Sequence, residues 1–173
     1  MVIRAAVAQD AEAIAAVHIA SWQGAYRGQF PDEVLDGLDV AQRAAGWRRY
    51  LEQDGQVTFV AEDRGRITGF VHLNAARDDD ADAATGEVIA IYALPQAWGT
   101  GTGRELMAAA VASLRAQGFR AATVWVLDVN VRARRFYELA GWAPDGATKD
   151  DVVAGVPVSE LRYRRELELR PGR

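Results

Sequence analysis

Two hydrophobic periodicities alternate along this chain and predict its secondary structure. Apolar runs rich in Val, Ile and Tyr indicate buried strands, and apolar residues three and four apart indicate amphipathic helices. The predicted strands are Val2–Val7, Val57–Glu62, Ile67–Asn74, Glu87–Leu94, Ala121–Leu127, Ala147–Val153 and Val158–Arg165. The predicted helices run from about Asp10 to Gly28, Val40 to Glu52, Gly103 to Gly118 and Asn130 to Gly141. This order of elements predicts an α/β (α+β) fold, in which a mixed sheet carries helices on both faces.

One segment between the predicted strands has no hydrophobic periodicity. Residues Arg77–Ala84 carry four aspartates. Such a composition is typical of a solvated, mobile loop.

The central apolar segment contains the most informative pattern. The strand Glu87–Leu94 and the helix that begins at Gly103 are joined by a turn with glycine at alternate positions, Gly99, Gly101 and Gly103. Glycine lets a ligand approach the backbone closely. A helix N-terminus offers unpaired N–H groups at the positive end of the helix dipole. The pattern therefore predicts a phosphate-binding site, to which Arg104 can add a cation.

This turn has other interpretations. It could join a strand to a helix without binding any ligand. It is not a Walker loop, because Gly103 is followed by Arg104-Glu105 rather than Lys-Ser/Thr. A nicotinamide-dependent oxidoreductase could use the turn, with Asp128 binding the ribose. However, the dinucleotide fingerprint is G-x-G-x-x-G, this turn reads G-x-G-x-G, and four predicted strands precede it.

Composition and charge exclude several function classes. The chain has 173 residues and a formal net charge of −4, which predicts one domain over residues 1–173 and does not favour nucleic-acid binding. It has no cysteine, which excludes disulfides, thiol catalysis and thiolate metal sites. Two histidines, His18 and His72, argue against a multi-histidine metal site. No apolar run has the length of a membrane span, and a signal-peptide core is absent. We therefore expect a cytoplasmic protein without a metal.

The segment IYALPQAWGTGTGREL resembles the acetyl-CoA-binding motif Q/R-x-x-G-x-G/A of the GNAT acetyltransferase superfamily. Aligned on the helix start, the motif begins at Trp98, where Gln or Arg is usual, and ends at Gly103. The resemblance implies that acetyl-CoA binds with its phosphates on the backbone amides of Gly99, Thr100, Gly101, Thr102, Gly103 and Arg104. It also implies that the pantetheine arm pairs with the strand end at Tyr92, Ala93 and Leu94.

A second stretch, NVRARRFYELAGW, resembles the superfamily pattern N-x-R-A-x-x-F-Y-E-x-x-G-F, with Trp142 replacing Phe. The resemblance implies that Asn130 bonds the pantetheine, in addition to capping its helix, and that Arg132 meets the 3′-phosphate of CoA. It implies that Tyr137 points at the thioester sulfur. The alternatives are that Tyr137 is a core aromatic and that Arg132, like Arg134 and Arg135, only solvates the outer face of the helix.

The order of elements is also similar to that of the superfamily. This implies a mixed, mostly antiparallel sheet of six to seven strands, whose central strands splay apart where CoA binds. Sheet edges need covering, and members of the superfamily often dimerise, so a homodimer is expected.

The resemblance implies transfer of an acetyl group from acetyl-CoA to a primary amine of a small molecule or of a peptide or protein. The thiol of CoA ionises near about pH 8.5 and a phenol near about pH 10. The phenol of Tyr137 therefore keeps its proton at neutral pH and can hand it to the departing thiolate. The amine, with a pKa of about 10.4, must first lose a proton. Glu87 matches the general-base glutamate of histone-modifying members; a water relay and a merely salt-bridged glutamate are the alternatives.

Aromatic residues near the end of the first helix are candidates for acceptor binding. Trp22 and Tyr26, with Phe30 in the loop that follows, would suit an amine with an apolar or cationic body. The alternative, favoured for Trp22, is that Trp22 and Tyr26 are core residues of an amphipathic helix. His18 could be a second base or a structural residue. Further candidate lining groups are His72, Asp150, Asp151 and Glu160.

The alternative to an enzyme is a catalytically silent acyl-CoA-binding module with a regulatory role. Such a module would keep the glycine turn but would need neither Tyr137 nor Glu87.

Overall fold

The computed structural model describes residues 1–53, 55–153 and 155–167. Its strands are β1 (Val2–Ala5), β2 (Val57–Asp63), β3 (Arg66–Ala75), β4 (Thr85–Ala93), β5 (Ala121–Leu127), β6 (Ala143–Val153) and β7 (Val156–Glu166). Its helices are α1 (Ala11–Tyr26), α2 (Asp32–Asp36), α3 (Val40–Leu51), α4 (Thr102–Ala116) and α5 (Val131–Leu139). Short 3-10 helices lie at Ala8–Asp10 and Pro95–Ala97. The elements follow the predicted order, and the described residues add one α-helix, α2, and the two 3-10 helices.

Helix α2 forms where a loop was expected. Pro31 precedes its first residue, and proline favours the start of a helix. Arg27 then bridges both ends of the helix, at 2.9 Å from Asp32 and 2.8 Å from Asp36. These ion pairs depend on the folded segment, so the apolar spacing of the sequence did not reveal them.

The strands form one mixed sheet in the order β1-β2-β3-β4-β5-β7-β6. β1 and β2, β5 and β7, and β6 and β7 are antiparallel pairs. β4 and β5 are parallel, and their ladder runs only from Thr85 opposite Ala121 to Glu87 opposite Thr123. Beyond this point the two strands splay apart. The predicted fold class is thus confirmed, including the divergence of the central strands.

The chain divides into two compact units, of which the first contains Met1–His72 and Ala90–Ala109. Helices α1 and α3 pack against each other in this unit. Its core consists of Ala11, Ile14, Ala15, Val17, Ala44, Trp47, Val60, Ile67, Phe70, Leu94 and Ala97.

The second unit contains residues 73–89 and the chain from 110 onward. The register pairs Val124 of β5 with Tyr163 of β7, and Trp125 with Arg162. Since side chains alternate along a strand, Val124 and Tyr163 face one side of the sheet while Trp125 and Arg162 face the other. The buried Tyr163 ring lies 5.8 Å from that of Tyr137 on α5. One face of this part of the sheet is therefore apolar and packed on α5, and the opposite face is polar.

The loop between β3 and β4 is held against this polar face. Arg162 is 9% exposed and donates to Asp78 at 3.1 Å and to Asp80 at 2.6 Å. The indole Nε1–H of Trp125 also donates to Asp78, at 3.1 Å. These ion pairs contradict the predicted mobility at the two aspartates, whereas the predicted solvation holds at Asp80, whose side chain is 64% exposed. Their partners lie far along the sequence, and the local pattern could not disclose them.

Candidate active site

The glycine turn connects the end of β4 to the start of α4, which begins at Thr102, one residue earlier than predicted. Gly99 and Gly101 have φ angles of 74° and 98°, which residues with a Cβ rarely adopt. Among the described residues, a Cβ on Gly99 would meet no atom within 4 Å, and one on Gly101 would meet only the Arg104 guanidinium at 3.6 Å. Glu105 N–H donates to Gly101 O. The N–H groups of α4 that come before Glu105 have no intrahelical acceptor. The turn thus presents N–H groups beside open space.

Trp98 stands at the motif position where Gln or Arg is usual, and it has a structural role. Its Nε1–H donates to the carbonyl of Ala93 at 2.8 Å, at the end of β4. A Cβ on Gly24 of α1 would lie 3.0 Å from the Trp98 ring and 2.8 Å from Pro95. Gly24 therefore lets α1 approach the turn closely, and the indole packs against it. The departure from the motif exchanges a polar side chain for one that joins the turn to α1.

The strand end offers fewer backbone groups than predicted. Leu94 N–H donates to Thr68 O at 2.9 Å, and Leu94 O accepts from Ala97 N–H at 2.8 Å. The Leu94 side chain lies in the core. Leu94 therefore has no free N–H to offer the pantetheine, and Tyr92 and Ala93 remain the candidates at this strand end.

Aromatic side chains of α1 surround Tyr92 of β4. Trp22 donates its Nε1–H to the Tyr92 hydroxyl at 3.1 Å, and His18 stacks on the Tyr92 ring at 4.6 Å between centroids. The Nδ1 atom of His18 is buried without a hydrogen-bond partner among the described residues. Burial, and secondarily the charge of Arg43, lowers the pKa of His18 to about 3. His18 is therefore neutral at physiological pH and too weak a base for its suggested second role.

The two predicted substrate-binding residues differ in accessibility. Trp22 is half-buried, and its ring lies 4.9 Å from that of Tyr26. Tyr26 is 4% exposed and packs 5.5 Å from the equally buried Phe30. Of the pair, Trp22 is the side chain that can contact a ligand, whereas the Tyr26 ring belongs to the core.

The other candidate lining residues have separate surroundings. His72 is buried and shares a hydrogen bond of 2.8 Å with the Thr58 hydroxyl. Asp150 and Asp151 are exposed on β6. Glu160 of β7 lies 3.0 Å from the ammonium of Lys149 on β6. Among the described residues, no group of three or more His, Asp or Glu side chains could hold a metal ion.

Helix α5 holds Tyr137 in a fixed position. As predicted, Asn130 is the N-cap: its side-chain oxygen accepts from Ala133 N–H at 3.0 Å. Tyr137 is 5% exposed, with its ring 5.8 Å from Tyr163 and 6.4 Å from Trp142. This packing restricts the Tyr137 ring, so that its hydroxyl has a defined direction.

The three arginines of α5 are not equivalent. Arg134 donates to the carbonyl of Asp128 at 3.1 Å and to the Tyr163 hydroxyl at 3.4 Å, so it braces the start of the helix. Arg135 lies 3.6 Å from Glu138 on the helix surface. Arg132, the arginine of the motif, is exposed.

Glu87 is a buried carboxylate on β4. It is 6% exposed, and Arg77 Nε donates to it at the long distance of 3.4 Å. The parallel register places Glu87 opposite Thr123, two residues before Trp125 on the same face of β5. Glu87 therefore belongs to the polar face of the sheet. Glu87 is thus ion-paired, as in the alternative to a catalytic role, and the long distance to Arg77 leaves the carboxylate able to accept further hydrogen bonds.

The polar face also contains residues that sequence reasoning missed. Trp125 and Arg162 contact each other, and Lys149 of β6 lies over the Trp125 ring. Alternation along β5 could have placed Trp125 on the face of Thr123. It could not have identified the cross-strand partners, because these depend on the register of β5 with β7.

The family can be decided from the chain as a whole. The model of the acetyltransferase (GNAT) family matches residues 19–142, a range that contains both the glycine turn and Tyr137. The chain belongs to the GNAT family. It is therefore an acetyltransferase.

Individual relatives agree with this assignment. An uncharacterised N-acetyltransferase of Bacillus subtilis (strain 168), YuaI, is 30% identical over 161 residues, which cover 92% of this chain and 89% of YuaI. The ribosomal-protein-alanine N-acetyltransferase of Brucella melitensis has the same fold, with a TM-score of 0.75 at 21% identity over 96% of this chain and 100% of that chain. YncA of Salmonella typhimurium, solved with its cofactor acetyl-CoA, has a TM-score of 0.73 at 21% identity. The match covers 100% of this chain and 97% of YncA.

No helix in the described part of this GNAT protein is both long and apolar enough to span a membrane.

Proposed function

We propose that this GNAT protein is an N-acetyltransferase that transfers the acetyl group of acetyl-CoA to a primary amine of a small molecule, peptide or protein. The observation that carries the proposal is the glycine turn, where Gly99 and Gly101 adopt positive φ angles beside open space at the start of α4. Backbone amides at a helix start bind phosphate groups. The acetyl-CoA bound to YncA, a protein of the same fold, supports this choice of cosubstrate.

In this proposal the amides of residues 99–104 bind the pyrophosphate, and the exposed Arg104 adds a positive charge. Tyr92 and Ala93 pair with the pantetheine arm through their backbones. Asn130 contacts the arm in addition to capping α5, and Arg132 binds the 3′-phosphate.

Tyr137 is the proposed general acid. The amine attacks the thioester carbonyl directly, the carbon–sulfur bond breaks, and the phenol gives its proton to the departing thiolate. The nitrogen then releases its second proton, which restores the phenol through water. The phenol has an ordinary pKa of about 10 and the thiol one of about 8.5. At neutral pH the phenol therefore still carries the proton that the departing thiolate needs, and the direct transfer needs no cysteine or covalent intermediate. The packing of the Tyr137 ring by Tyr163 and Trp142 supports a fixed donor.

Glu87 is the proposed general base. It removes a proton from the ammonium, directly or through water, before the amine attacks. Its support is the burial of the carboxylate on the polar face, with Arg77 at 3.4 Å as a weak ion-pair partner. A tight bidentate ion pair would have occupied both oxygens.

The test is CoA release from acetyl-CoA in the presence of a panel of primary amines, for wild type and Tyr137→Phe. The variant keeps the ring and its packing. We expect multiple turnovers with at least one amine class, and a decrease of roughly 10²–10⁴-fold in Tyr137→Phe, while acetyl-CoA affinity and the melting temperature stay near wild type. Near-normal rates in the variant would remove Tyr137 as the acid. Acetyl-CoA binding without turnover on any amine would instead identify a silent acyl-CoA-binding module.

We also propose that the protein forms a homodimer. In the described sheet, β6 is an edge strand of 11 residues with mostly exposed side chains, among them Val152 at 62% exposure. An exposed edge can pair with another strand, and a second copy of the chain offers the same edge.

A further inference from the structure

The chain contains a single lysine. This residue is Lys149, and all the others among the 20 Lys and Arg residues are arginine. A guanidinium stays protonated in proteins, whereas a lysine amine can lose its proton and attack a carbonyl. Apart from the α-amine of Met1, the Lys149 amine is thus the one primary amine in this sequence.

The Lys149 amine lies on the polar face of the second unit. Its Nζ is 4.3 Å from the centroid of the Trp125 ring and 3.0 Å from a carboxylate oxygen of Glu160. The register places Lys149 opposite Glu160, which itself lies opposite Leu127 of β5. The side chain is 44% exposed. An aromatic face and one carboxylate therefore hold the ammonium in place while leaving it accessible.

The same face carries Glu87, the proposed base. Glu87 pairs with Thr123 at the last step of the β4–β5 ladder. Trp125 lies two residues further along β5 on the same face, a distance of roughly 7 Å along the strand. The Lys149 amine is thus held where β4 and β5 begin to splay.

We propose that the protein acetylates Lys149 within its own chain, which rests on the proposed function. The ammonium first gives a proton to Glu160 or to water. The lone pair of Nζ then attacks the carbonyl carbon of acetyl-CoA, the carbon–nitrogen bond forms, and the carbon–sulfur bond breaks. The thiolate takes up a proton from Tyr137, and the nitrogen releases its second proton, which passes through water to the Tyr137 phenolate. The products are an amide at Lys149 and free CoA.

Acetylation changes the polar face. The amide carries no charge, so Lys149 loses its ion pair with Glu160 and its cation–π contact with Trp125. Arg162, with its guanidinium carbon 5.5 Å from the Trp125 ring centroid, keeps its charge and its aspartate partners. The modification therefore removes one of the two cations from the Trp125 ring and leaves Glu160 without its ion pair to Lys149.

The test is incubation of purified protein with acetyl-CoA and no other amine, followed by intact mass and peptide mapping. We expect a gain of one acetyl group, located on Lys149, with the release of one equivalent of CoA. The first-order rate constant should not depend on protein concentration. Lys149→Arg keeps the charge and should gain no acetyl group. Trp125→Leu should slow the labelling, and Trp125→Phe, which keeps an aromatic face, should restore most of the rate.

Four outcomes would overturn the inference. They are labelling of the Met1 amine instead of Lys149, no labelling, a rate that rises with protein concentration, and labelling of Tyr137→Phe as fast as wild type, which would indicate uncatalysed chemistry. The parallel assay with external amines separates the two proposals. Turnover on an external amine without label on Lys149 rejects only the self-acetylation, whereas the absence of both reactions rejects the proposed function as well.

Discussion

At Glu87, the proposed chemistry can be separated from the packing of the sheet by one isosteric change. Glu87→Gln keeps the shape of the buried side chain and removes its ability to take a proton. We expect turnover to fall most at low pH, where little free amine exists, by roughly 10²-fold or more, and to recover partly as the pH rises and the amine deprotonates unaided.

The measurement is steady-state kinetics from about pH 6 to about pH 10, a range that approaches the pKa of a primary amine. Glu12→Gln, at an exposed glutamate of α1, is the control and should follow the wild-type profile. A Glu87→Gln profile parallel to wild type would exclude Glu87 and leave a water relay as the base.

His18 should make stability depend on pH. The pKa of the folded residue is about 3, and that of an unfolded histidine is about 6.5. Between these values only the unfolded chain binds the proton. The contribution of His18 is therefore complete above about pH 6.5 and is lost as the pH falls, by at most about 1.4 kcal/mol per pH unit.

His18→Phe keeps an aromatic ring on Tyr92 and cannot titrate. Urea unfolding of both proteins at about pH 7 and about pH 5 isolates the effect of the histidine from that of other groups. The difference in unfolding free energy should shift in favour of the variant at the lower pH. A difference that is the same at both pH values would show that His18 is protonated in the fold.

At the scale of elements, the turn from β4 to α4 makes the sharpest prediction. Gly101→Asp adds a side chain and a negative charge where the pyrophosphate is proposed to bind. We expect acetyl-CoA affinity, measured by calorimetry, to fall at least about tenfold, or 1.4 kcal/mol. Gly28→Asp is a matched control, because Gly28 also has a positive φ, 83°, with no atom within 4 Å of an added Cβ. Equal affinities in wild type and Gly101→Asp would reject this site.

The elements also differ in how well their residues could be predicted. The N-cap at Asn130 and the glycine positions of the turn follow from bonds and φ angles within a few residues. The role of Trp98 does not, because it depends on contact with Gly24 of α1. The resemblance marked Trp98 as a departure from a motif, and only the packing explains what the indole does there.

At the scale of the whole molecule, the open edge of β6 underlies the proposed homodimer. Light scattering at micromolar concentration should give twice the mass of the chain. Val152→Asp, which places a charge on an exposed apolar residue of that edge, should shift the equilibrium toward monomer. A wild-type protein that is monomeric under these conditions would reject the dimer.

The sequence by itself determined the order of the elements, the glycine turn, the cap and amphipathic face of α5, and the family to which the chain belongs. These features depend on periodicity, backbone conformation and hydrogen bonds between near neighbours, all of which are encoded locally. The splaying of the central strands was predicted from the resemblance to the GNAT superfamily and not from these local signals.

The tertiary structure alone decided which side chains share the polar face. Arg162 binds Asp78 across 84 positions of sequence. Lys149 of β6 contacts Trp125 of β5 across the intervening strand β7, through the register of β7 with both neighbours. A shift of one residue in strand register would move each of these side chains to the opposite face. Register is fixed by the cooperative packing of the whole sheet, so the polar face around Glu87 could not be read from the pattern of any one strand.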